Sequence, residues 1–563
     1  MIRRQAEAGT KATGRGGGVE VTITSTAVVV LSLLILLPLG VLLAASLGGK
    51  SLTLHYFSQI FLRHQIRSVT LNTILVALGS TSLAIFIGVP LAWLVHRTRV
   101  LFSSLWDSLI ILPFFVSPVI IALSWLAIAG KRGLLYVVAT RGVGVQTGVN
   151  VESLAGIIGV MGLYYTAYMY LYTSIGLRNM DPALEEASYT SGASTLRTAW
   201  RVTLPLATPA ILAGALLVFT SSVSHFSIPL ILGRPNGINV LTTRIYEMLI
   251  HYPPEFNLAA AISMVLLLIT ATGVAAQRLI TRNRSFITIG GKARGEETRR
   301  AGWVSKVAFL ICALYSLVFV IVPFVMLTVV SLMRYYTFDG PTFSLDNYAQ
   351  ALLRHPITLR GIRNSVLLAT LGASATVLLG SIVAYVVVRG RSRGKVVVDF
   401  LSAAPVVIPA TALAVALLAT WIRVPFLYGS LGILLIAYCT LYIPYGTRAA
   451  NANLMQIDAD LEAASRTSGA SWAYTFRRIV VPLMRPGMSV AWIVLFVGMI
   501  KEISASILLY GFGTETMSVV LYELWYEGSF TLAASLAIIQ GALIAAVLAT
   551  FVFATGTRLR SLT

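Results

Sequence analysis

The chain has 563 residues, of which 57% are hydrophobic and only 11% are charged, and its mean hydropathy is +0.83. This composition excludes a soluble globular protein of this length and predicts an all-α polytopic membrane protein. The net charge of +21 is interpreted as basic loops facing an anionic membrane surface, and no nucleic-acid partner is predicted.

The chain starts with a basic stretch rich in Gly and Thr, and an apolar run follows from Val21 to Leu47. A charged start before an apolar run also describes a signal peptide, but this run is longer than the apolar core of one. We therefore interpret it as a retained first span with the N-terminus in the cytoplasm.

Further apolar segments are long enough to cross about 30 Å of hydrocarbon, so about twelve spans are predicted in two sets of six. In the first half the remaining spans lie near 69–95, 105–129, 154–175, 204–232 and 258–280. In the second half they lie near 304–332, 365–388, 397–421, 427–445, 481–510 and 531–554. Polar residues within 204–232 and 481–510 indicate that these two segments are interrupted.

With the N-terminus inside, about two thirds of the 42 Lys and Arg residues fall on the cytoplasmic side, as the positive-inside rule requires. The same topology places the C-terminus in the cytoplasm. The most basic stretch, 278–306, then becomes a solvated linker between the two halves.

A polar loop occurs twice between apolar segments. The first repeat loop, Asp181 to Leu206, contains Asp-Pro-Ala-Leu-Glu-Glu-Ala-Ser-Tyr-Thr-Ser-Gly-Ala-Ser and ends in Leu-Pro-Leu. The second repeat loop, Asp458 to Leu483, contains Asp-Ala-Asp-Leu-Glu-Ala-Ala-Ser-Arg-Thr-Ser-Gly-Ala-Ser and ends in Val-Pro-Leu, 277 residues later. An N-capping Asp, Gly192 or Gly469 as a left-handed helix end, and a capping Ser predict a helix, a glycine bend, a second helix and the next span.

The repeat extends beyond these loops. Asn72, Gly88 and Arg97 recur 292 residues later as Asn364, Gly380 and Arg389. The larger offset leaves about 15 extra residues in the first half, and they fit an outside loop between residues 130 and 153. Since six spans separate equivalent points, the halves should share one orientation and be related by an axis along the membrane normal.

The repeat loop resembles the "EAA" loop in the membrane subunits of bacterial binding-protein-dependent ABC importers. The first copy carries Glu186-Ala187-Ser188, with Gly192 six residues after the glutamate and Leu204-Pro205 about a dozen residues further on. The resemblance implies a type I importer fold and a cytoplasmic coupling helix that docks into a groove on an ATPase. One such loop is more often a solvated connection, but two copies in register favour docking.

The resemblance implies a set of ATPase-coupling residues in each loop. They are Glu185, Glu186, Ala187, Gly192, Arg201 and Pro205 in the first copy, and Glu462, Ala464, Gly469, Arg478 and Pro482 in the second. Ala463 replaces Glu186 in the second loop, so from the alignment we expect Glu185 and Glu462 to make the shared contact with the ATPase. The family motif points instead to Glu186.

The resemblance also assigns domains and a location. Residues 1–67 form the N-terminal tail, first span and outside loop, and 68–281 form the first ABC transmembrane domain. Residues 282–359 form the linker, seventh span and outside loop, and 360–556 form the second transmembrane domain. The expected location is a bacterial or archaeal inner membrane, and the expected partners are two ATPase copies, an extracytoplasmic solute-binding protein and the lipid bilayer.

The sequence contains no phosphate-binding Gly-x-x-x-x-Gly-Lys-Ser/Thr loop and no recognisable catalytic motif, so the chain is not expected to be an enzyme. We expect it to bind no cofactor, while a partner ATPase uses ATP and Mg. Cys312 and Cys439 both lie in apolar runs, and neither a disulfide nor a metal site is predicted.

Charged residues are scarce in the predicted spans, which argues against an ion-coupled secondary transporter. The exceptions are His225 and the pair Lys501-Glu502, where His225 and Glu502 occupy equivalent positions 277 residues apart. These residues either line a central translocation path or reach the aqueous interface, and the sequence leaves both alternatives open.

The predicted function is therefore the fused permease subunit of an ATP-driven importer. Ser227-Ile-Pro-Leu-Ile-Leu-Gly and Val240-Leu-Thr-Thr-Arg-Ile-Tyr resemble the ferric-iron permeases, a group similar to those for thiamine and phosphonate. The resemblance implies ferric iron as substrate, with thiamine, phosphonate, polyamine or another small solute as alternatives and a secondary transporter as a further one.

Overall fold

The computed structural model describes residues 21–49, 52–140, 150–282, 303–338, 340–390 and 392–555. These residues are almost entirely helical, and their only β pairing is an isolated bridge between Met333 and Phe343. The predicted basic tail before residue 21 and residues 283–302 of the predicted linker lie outside the described residues.

The helices of the first half are, in chain order, α1 (Val21–Ser46), α2 (His55–Leu62), α3 (His64–Arg97), α4 (Ser103–Phe115), α5 (Pro118–Ala129), α6 (Leu134–Val138), α7 (Leu154–Arg178), α8 (Pro182–Thr190), α9 (Thr195–Val223), α10 (Ser227–Leu232), α11 (Leu241–Ile250) and α12 (Phe256–Arg282). Those of the second half are α13 (Trp303–Leu332), α14 (Asp346–Ala349), α15 (Pro356–Arg389), α16 (Lys395–Ala403), α17 (Ala410–Trp421), α18 (Leu431–Met455), α19 (Ala459–Thr467), α20 (Ala473–Ile500), α21 (Ser506–Leu509), α22 (Met517–Tyr526) and α23 (Phe530–Thr555).

Among the described residues, ten helical segments are long and apolar enough to cross a membrane, and the bent pair of α16 and α17 raises the number to eleven. Helix α18 is the second-half equivalent of the spanning helix α7, because both contain 25 residues and start 277 positions apart. Counting α18 by this equivalence gives the twelve spans predicted from the sequence.

The predicted spans at 105–129 and 397–421 are each broken into two helices. Helix α4 ends at Phe115, before Pro118. Helix α16 continues as a 3-10 turn to Val407, and this segment is bent by 112° from α17, which starts after Pro409. Proline disfavours the helical conformation in the residue before it, and Ser117 and Ile408 are extended, with ψ values of 133° and 114°. A helix cannot continue through such a residue, so each segment is divided into two helices.

The polar interruptions predicted in the fifth span of each half are confirmed. Helix α9 ends at Val223, and the short helix α10 begins at Ser227. Helix α20 ends at Ile500, and α21 begins at Ser506. Both halves therefore contain a discontinuous helix at the same place in the repeat.

The two halves exchange packing partners reciprocally. Helix α1 packs against α12 of its own half and against α17 of the second half. Helix α13 correspondingly packs against α23 of its own half and against α5 of the first half. This exchange interlocks the halves around the predicted pseudo-twofold axis.

Glycines allow the second and fourth spans of each half to pack closely. A Cβ on Gly88 in α3 would lie 2.9 Å from Cβ of Met169 in α7. At the equivalent Gly380 in α15, a Cβ would lie 2.7 Å from the carbonyl carbon of Gly446 in α18. The close contact between the second and fourth spans is therefore present in both halves, as is the glycine that allows it.

We expect Gly380→Ala to destabilise the protein by about 1–3 kcal/mol, because the added methyl group meets backbone atoms that cannot rotate away. The measurement is the thermal unfolding temperature of the purified chain in detergent. Gly541→Ala in α23 is the control, since a Cβ there would meet nothing within 4 Å. Equal unfolding temperatures for the two variants would contradict the close packing.

Candidate functional site

The repeat loops start with the predicted N-caps. Oδ1 of Asp181 accepts a hydrogen bond of 3.0 Å from the backbone N–H of Ala183, at the start of α8. Oδ1 of Asp458 likewise accepts one of 3.0 Å from the N–H of Asp460. These bonds satisfy an N–H group that has no partner within its own helix.

Each repeat loop turns at its glycine. Gly192 and Gly469 have φ values of 83° and 84°, a backbone region that L side chains rarely adopt. A Cβ on either glycine would meet nothing within 4 Å, so the backbone conformation and not crowding requires glycine. The predicted glycine bend is confirmed in both loops.

After the bend, a second helix starts at the predicted serine cap and continues into the next span. Oγ of Ser194 accepts a hydrogen bond from the N–H of Arg197, and α9 then runs without a break past Pro205. A hydrogen bond of 2.9 Å between the hydroxyls of Ser188 and Thr198 joins the two helices of the loop. The second repeat loop has the same bond, at 2.8 Å.

A buried ion pair fastens the first repeat loop to the membrane helices. Glu185 is only 2% exposed, and its Oε2 lies 3.2 Å from Nε of Arg97 at the end of α3. Oγ1 of Thr203 donates a hydrogen bond of 2.5 Å to Oε1 of the same carboxylate. Arg97 also donates from Nη2 to the carbonyl of Leu177 at 2.6 Å. The loop, α3 and α7 are thereby joined through one guanidinium group.

The second repeat loop has an equivalent ion pair. Glu462 is 4% exposed, and Nε of Arg389 donates to its Oε1 at 3.0 Å. The hydroxyl of Tyr385 donates to Oε2 at 2.9 Å, and Arg389 also donates to the carbonyl of Leu454 at 3.4 Å. In the sequence, Arg97 and Arg389 stand out only because they recur at equivalent positions. That recurrence is the signal that indicates a shared structural role for the two arginines.

Glu185 and Glu462, which the alignment of the two loops predicts as contacts with the ATPase, are buried in this chain. Both carboxylates are buried against arginines of their own chain, so neither faces outward. The other predicted coupling residues lie on the exposed surface: Glu186, Ala187, Gly192, Arg201 and Pro205 in the first loop and Ala464, Gly469, Arg478 and Pro482 in the second. Leu184 and Leu461, which occupy equivalent positions, are also 44% and 48% exposed.

His225 and Glu502 line one central cavity of about 190 Å³. Its polar lining includes Tyr165, Tyr168 and His225 from the first half and Tyr442, Lys501 and Glu502 from the second. Tyr165 and Tyr442 are equivalent residues in the repeat, as are His225 and Glu502. The cavity therefore lies where the two halves meet around the pseudo-twofold axis.

The cavity lies at the broken ends of α9 and α20, deep within the helical layer. Nε2 of Gln540 donates a hydrogen bond of 3.0 Å to the carbonyl of Ile500, the last residue of α20. Gln540 lies about 15 Å along α23 from Phe530, at 1.5 Å per residue, and about 15 Å is half the thickness of a bilayer core. This depth favours a central path over the aqueous interface for Lys501 and Glu502.

The charged and polar atoms of the cavity are only partly engaged. The hydroxyl of Tyr165 lies 3.0 Å from Nδ1 of His225, and Nε2 of this buried imidazole has no hydrogen-bond partner in the part of the chain that the structure describes. Nζ of Lys501 donates to the carbonyl of Phe114 at 2.7 Å. Oε1 of Glu502 accepts from the N–H of Ala505 at 3.1 Å.

On the side away from the repeat loops, aromatic residues of α11 and α22 contact each other across the halves. The rings of Tyr246 and Tyr522 meet edge to face at 6.4 Å. Arg234 donates a hydrogen bond of 2.5 Å to the hydroxyl of Tyr522, and its guanidinium lies 5.3 Å from the ring centres of Tyr246 and Tyr526. These contacts hold the halves together beyond the cavity.

We expect Glu185→Gln to lower the free energy of unfolding by about 3 kcal/mol, because it leaves the buried guanidinium of Arg97 without its counter-charge. Glu186→Gln, on the exposed face, should change it by less than about 0.5 kcal/mol. The measurement is chemical unfolding of the purified chain in detergent. Combining Arg97→Gln with Glu185→Gln should recover part of the loss, and strict additivity of the two single changes would refute the buried pair.

The family model "Binding-protein-dependent transport system inner membrane component" matches residues 80–286 and again residues 376–560, together well over half of the chain. The chain is 26% identical over 480 residues to the putative ferric transport system permease protein FbpB 1 of Haemophilus influenzae, covering 81% of this chain and 74% of that protein.

Two further relatives differ in how much they cover. The ferric transport system permease protein FbpB of Actinobacillus pleuropneumoniae is 25% identical over 495 residues, 86% of this chain and 72% of that protein. The molybdate/tungstate permease WtpB of Pyrococcus abyssi is 30% identical over 183 residues, 32% of this chain and 72% of that protein. With two matching domains, two equivalent repeat loops and paired sets of spans, this chain belongs to the family of inner-membrane components of binding-protein-dependent transport systems.

Proposed function

We propose that this permease imports ferric iron delivered by an extracytoplasmic binding protein, driven by ATP hydrolysis in separate subunits. The observation that carries the proposal is the pair of equivalent repeat loops, each fastened by a buried ion pair and each presenting an exposed surface. A single chain then supplies both halves of the transport path and both docking sites.

Ferric iron is favoured over other solutes by two observations. The relatives that match most of this chain are named as ferric transport permeases, whereas the molybdate/tungstate relative matches about a third of it. The central cavity, at about 190 Å³, is smaller than the roughly 300 Å³ or more of ordinary small-molecule pockets. An ion suits this volume better than thiamine or a polyamine does.

The docking surface for each ATPase is the outward face of α8 or α19. Leu184 and Leu461 are exposed there although both are large and apolar, and Ala187 and Ala464 lie beside them on the same short helices. A small apolar surface with flanking charge is suited to a partner groove. Both loops, and with them both chain termini, then face the cytoplasm, and the partner rather than this chain binds ATP and Mg.

The mechanism is mechanical. Movement of an ATPase acts on α8 or α19, and the ion pair passes the movement to α3 or α15 because loop and span share one guanidinium group. The halves then rock about the axis on which the cavity lies. Opening on the outer side requires separation of Tyr246 from Tyr522 and release of Arg234.

The proposal predicts one permease chain with two ATPase subunits, each held by one loop. Leu184→Asp should release one ATPase and leave the other, Leu461→Asp should do the same, and the double variant should bind none. Each replaced leucine forfeits about 1.5–3 kcal/mol of apolar burial and places a charge in the interface. Intact-complex mass measurement in mild detergent gives the ratios. Each single variant is the control for the other, and two ATPases retained by either one would contradict docking at that loop.

The substrate is tested in proteoliposomes that contain the permease, its ATPase subunits and its binding protein. We expect accumulation of labelled iron supplied as ferric citrate, dependent on ATP, and no accumulation of molybdate. Accumulation driven by an ion gradient without the ATPase would instead identify a secondary transporter, and ATP-dependent uptake of molybdate alone would refute iron as the substrate.

A further inference from the structure

The central cavity concentrates oxygen and nitrogen donors that are unusual at the middle of a membrane. Tyr168 and Tyr442 present phenols from the two halves, and Glu502 contributes a carboxylate. The buried Nε2 of His225 has no hydrogen-bond partner among the described residues. Polar and ionisable groups are costly at this depth, so they are retained where they serve transport.

These donors match the preferences of a small, highly charged cation. Carboxylate oxygens suit hard metal ions, imidazole nitrogen is a common ligand of iron, and tyrosine phenolate also binds iron in proteins. Discontinuous helices that meet at the interface of two repeats commonly hold the ion or solute site of a transporter. The broken ends of α9 and α20 place His225 and Glu502 in that position.

We propose that this cavity is a transient coordination site for ferric iron, with ligands from Tyr168, Tyr442, Glu502 and Nε2 of His225. The inference rests on the proposed function, because it takes ferric iron as the transported ion. No electron is exchanged and the iron remains ferric. Each phenol that binds loses its proton to the solvent, and its oxygen displaces one water ligand from the arriving ion, so one Fe–O bond replaces another.

Lys501 limits how tightly the ion is held. Its ammonium lines the same cavity and donates a hydrogen bond of 2.7 Å to the backbone carbonyl of Phe114. The same ammonium lies 5.6 Å from the centre of the Phe114 aromatic ring. A fixed positive charge beside the site opposes a bound cation and offsets part of the attraction from Glu502. Conduction requires binding that is weak enough for release, and this pair of opposite charges provides it.

An oxyanion is the alternative occupant of the same cavity. The Lys501 ammonium and the tyrosine hydroxyls could donate hydrogen bonds to molybdate, but the Glu502 carboxylate would repel it. The two ions therefore respond oppositely to neutralisation of Glu502. Glu502→Gln should weaken the binding of iron and strengthen that of molybdate.

The test uses the purified complex of the full chain with its ATPase subunits, titrated with ferric nitrilotriacetate. Phenolate bound to ferric iron gives a visible charge-transfer absorption, and we expect this band in the unaltered complex. Tyr442→Phe and Glu502→Gln should each raise the half-saturating iron concentration at least about tenfold. Tyr445→Phe is the matched control, because this phenol is on the same helix, is 58% exposed and does not line the cavity.

Absence of the band from the unaltered complex, or the same band in all variants, would overturn the coordination site. If Tyr442→Phe lowers the unfolding temperature, Tyr168→Phe provides the second phenol variant. Iron uptake by the proteoliposomes without any band would refute the site while leaving the proposed function intact. Molybdate binding that strengthens in Glu502→Gln, together with uptake of molybdate and not iron, would refute both.

Discussion

The buried ion pairs between Arg97 and Glu185 and between Arg389 and Glu462 are the constraint on which the geometry of the repeat loops depends. Each arginine bonds to the loop carboxylate and to a backbone carbonyl at the end of α7 or α18. Such pairs add little net stability over apolar packing, but removing one partner is strongly destabilising because it leaves the other charge buried and unpaired. Their value lies in rigidity, since a short surface helix without them could tilt without moving any span.

Much of this architecture follows from the sequence, because each local pattern occurs twice and the second copy supports the prediction made from the first. The glycine bends, the N-caps and the breaks after α9 and α20 were predictable from local chemistry alone. The burial of Glu185 was not, because a carboxylate in the first turn of a polar helix is ordinarily solvated. Its partner Arg97 lies far away in the chain, and the packing of α3 against α7 and α9, the spans on either side of the loop, brings the two charges together.

The two halves differ in which residue donates a hydroxyl hydrogen bond to the buried carboxylate. Thr203 donates a hydroxyl to Glu185 from the span after the loop, but its equivalent in the second half is Val480. There the hydroxyl comes from Tyr385 in α15, at a position that is Trp93 in α3. Both carboxylates thus receive one guanidinium and one hydroxyl, because a buried carboxylate with an unsatisfied oxygen is costly.

The polar lining of the cavity is asymmetric, which a pair of identical subunits does not allow. His225 of the first half and Lys501 and Glu502 of the second line the same cavity, which therefore contains one imidazole, one ammonium and one carboxylate. Two identical halves would place two carboxylates or two ammonium groups on the axis, and like charges at that depth repel strongly. Fusion of the halves into one chain permits this asymmetry, since each half can then change its polar residue while the repeat loops remain equivalent.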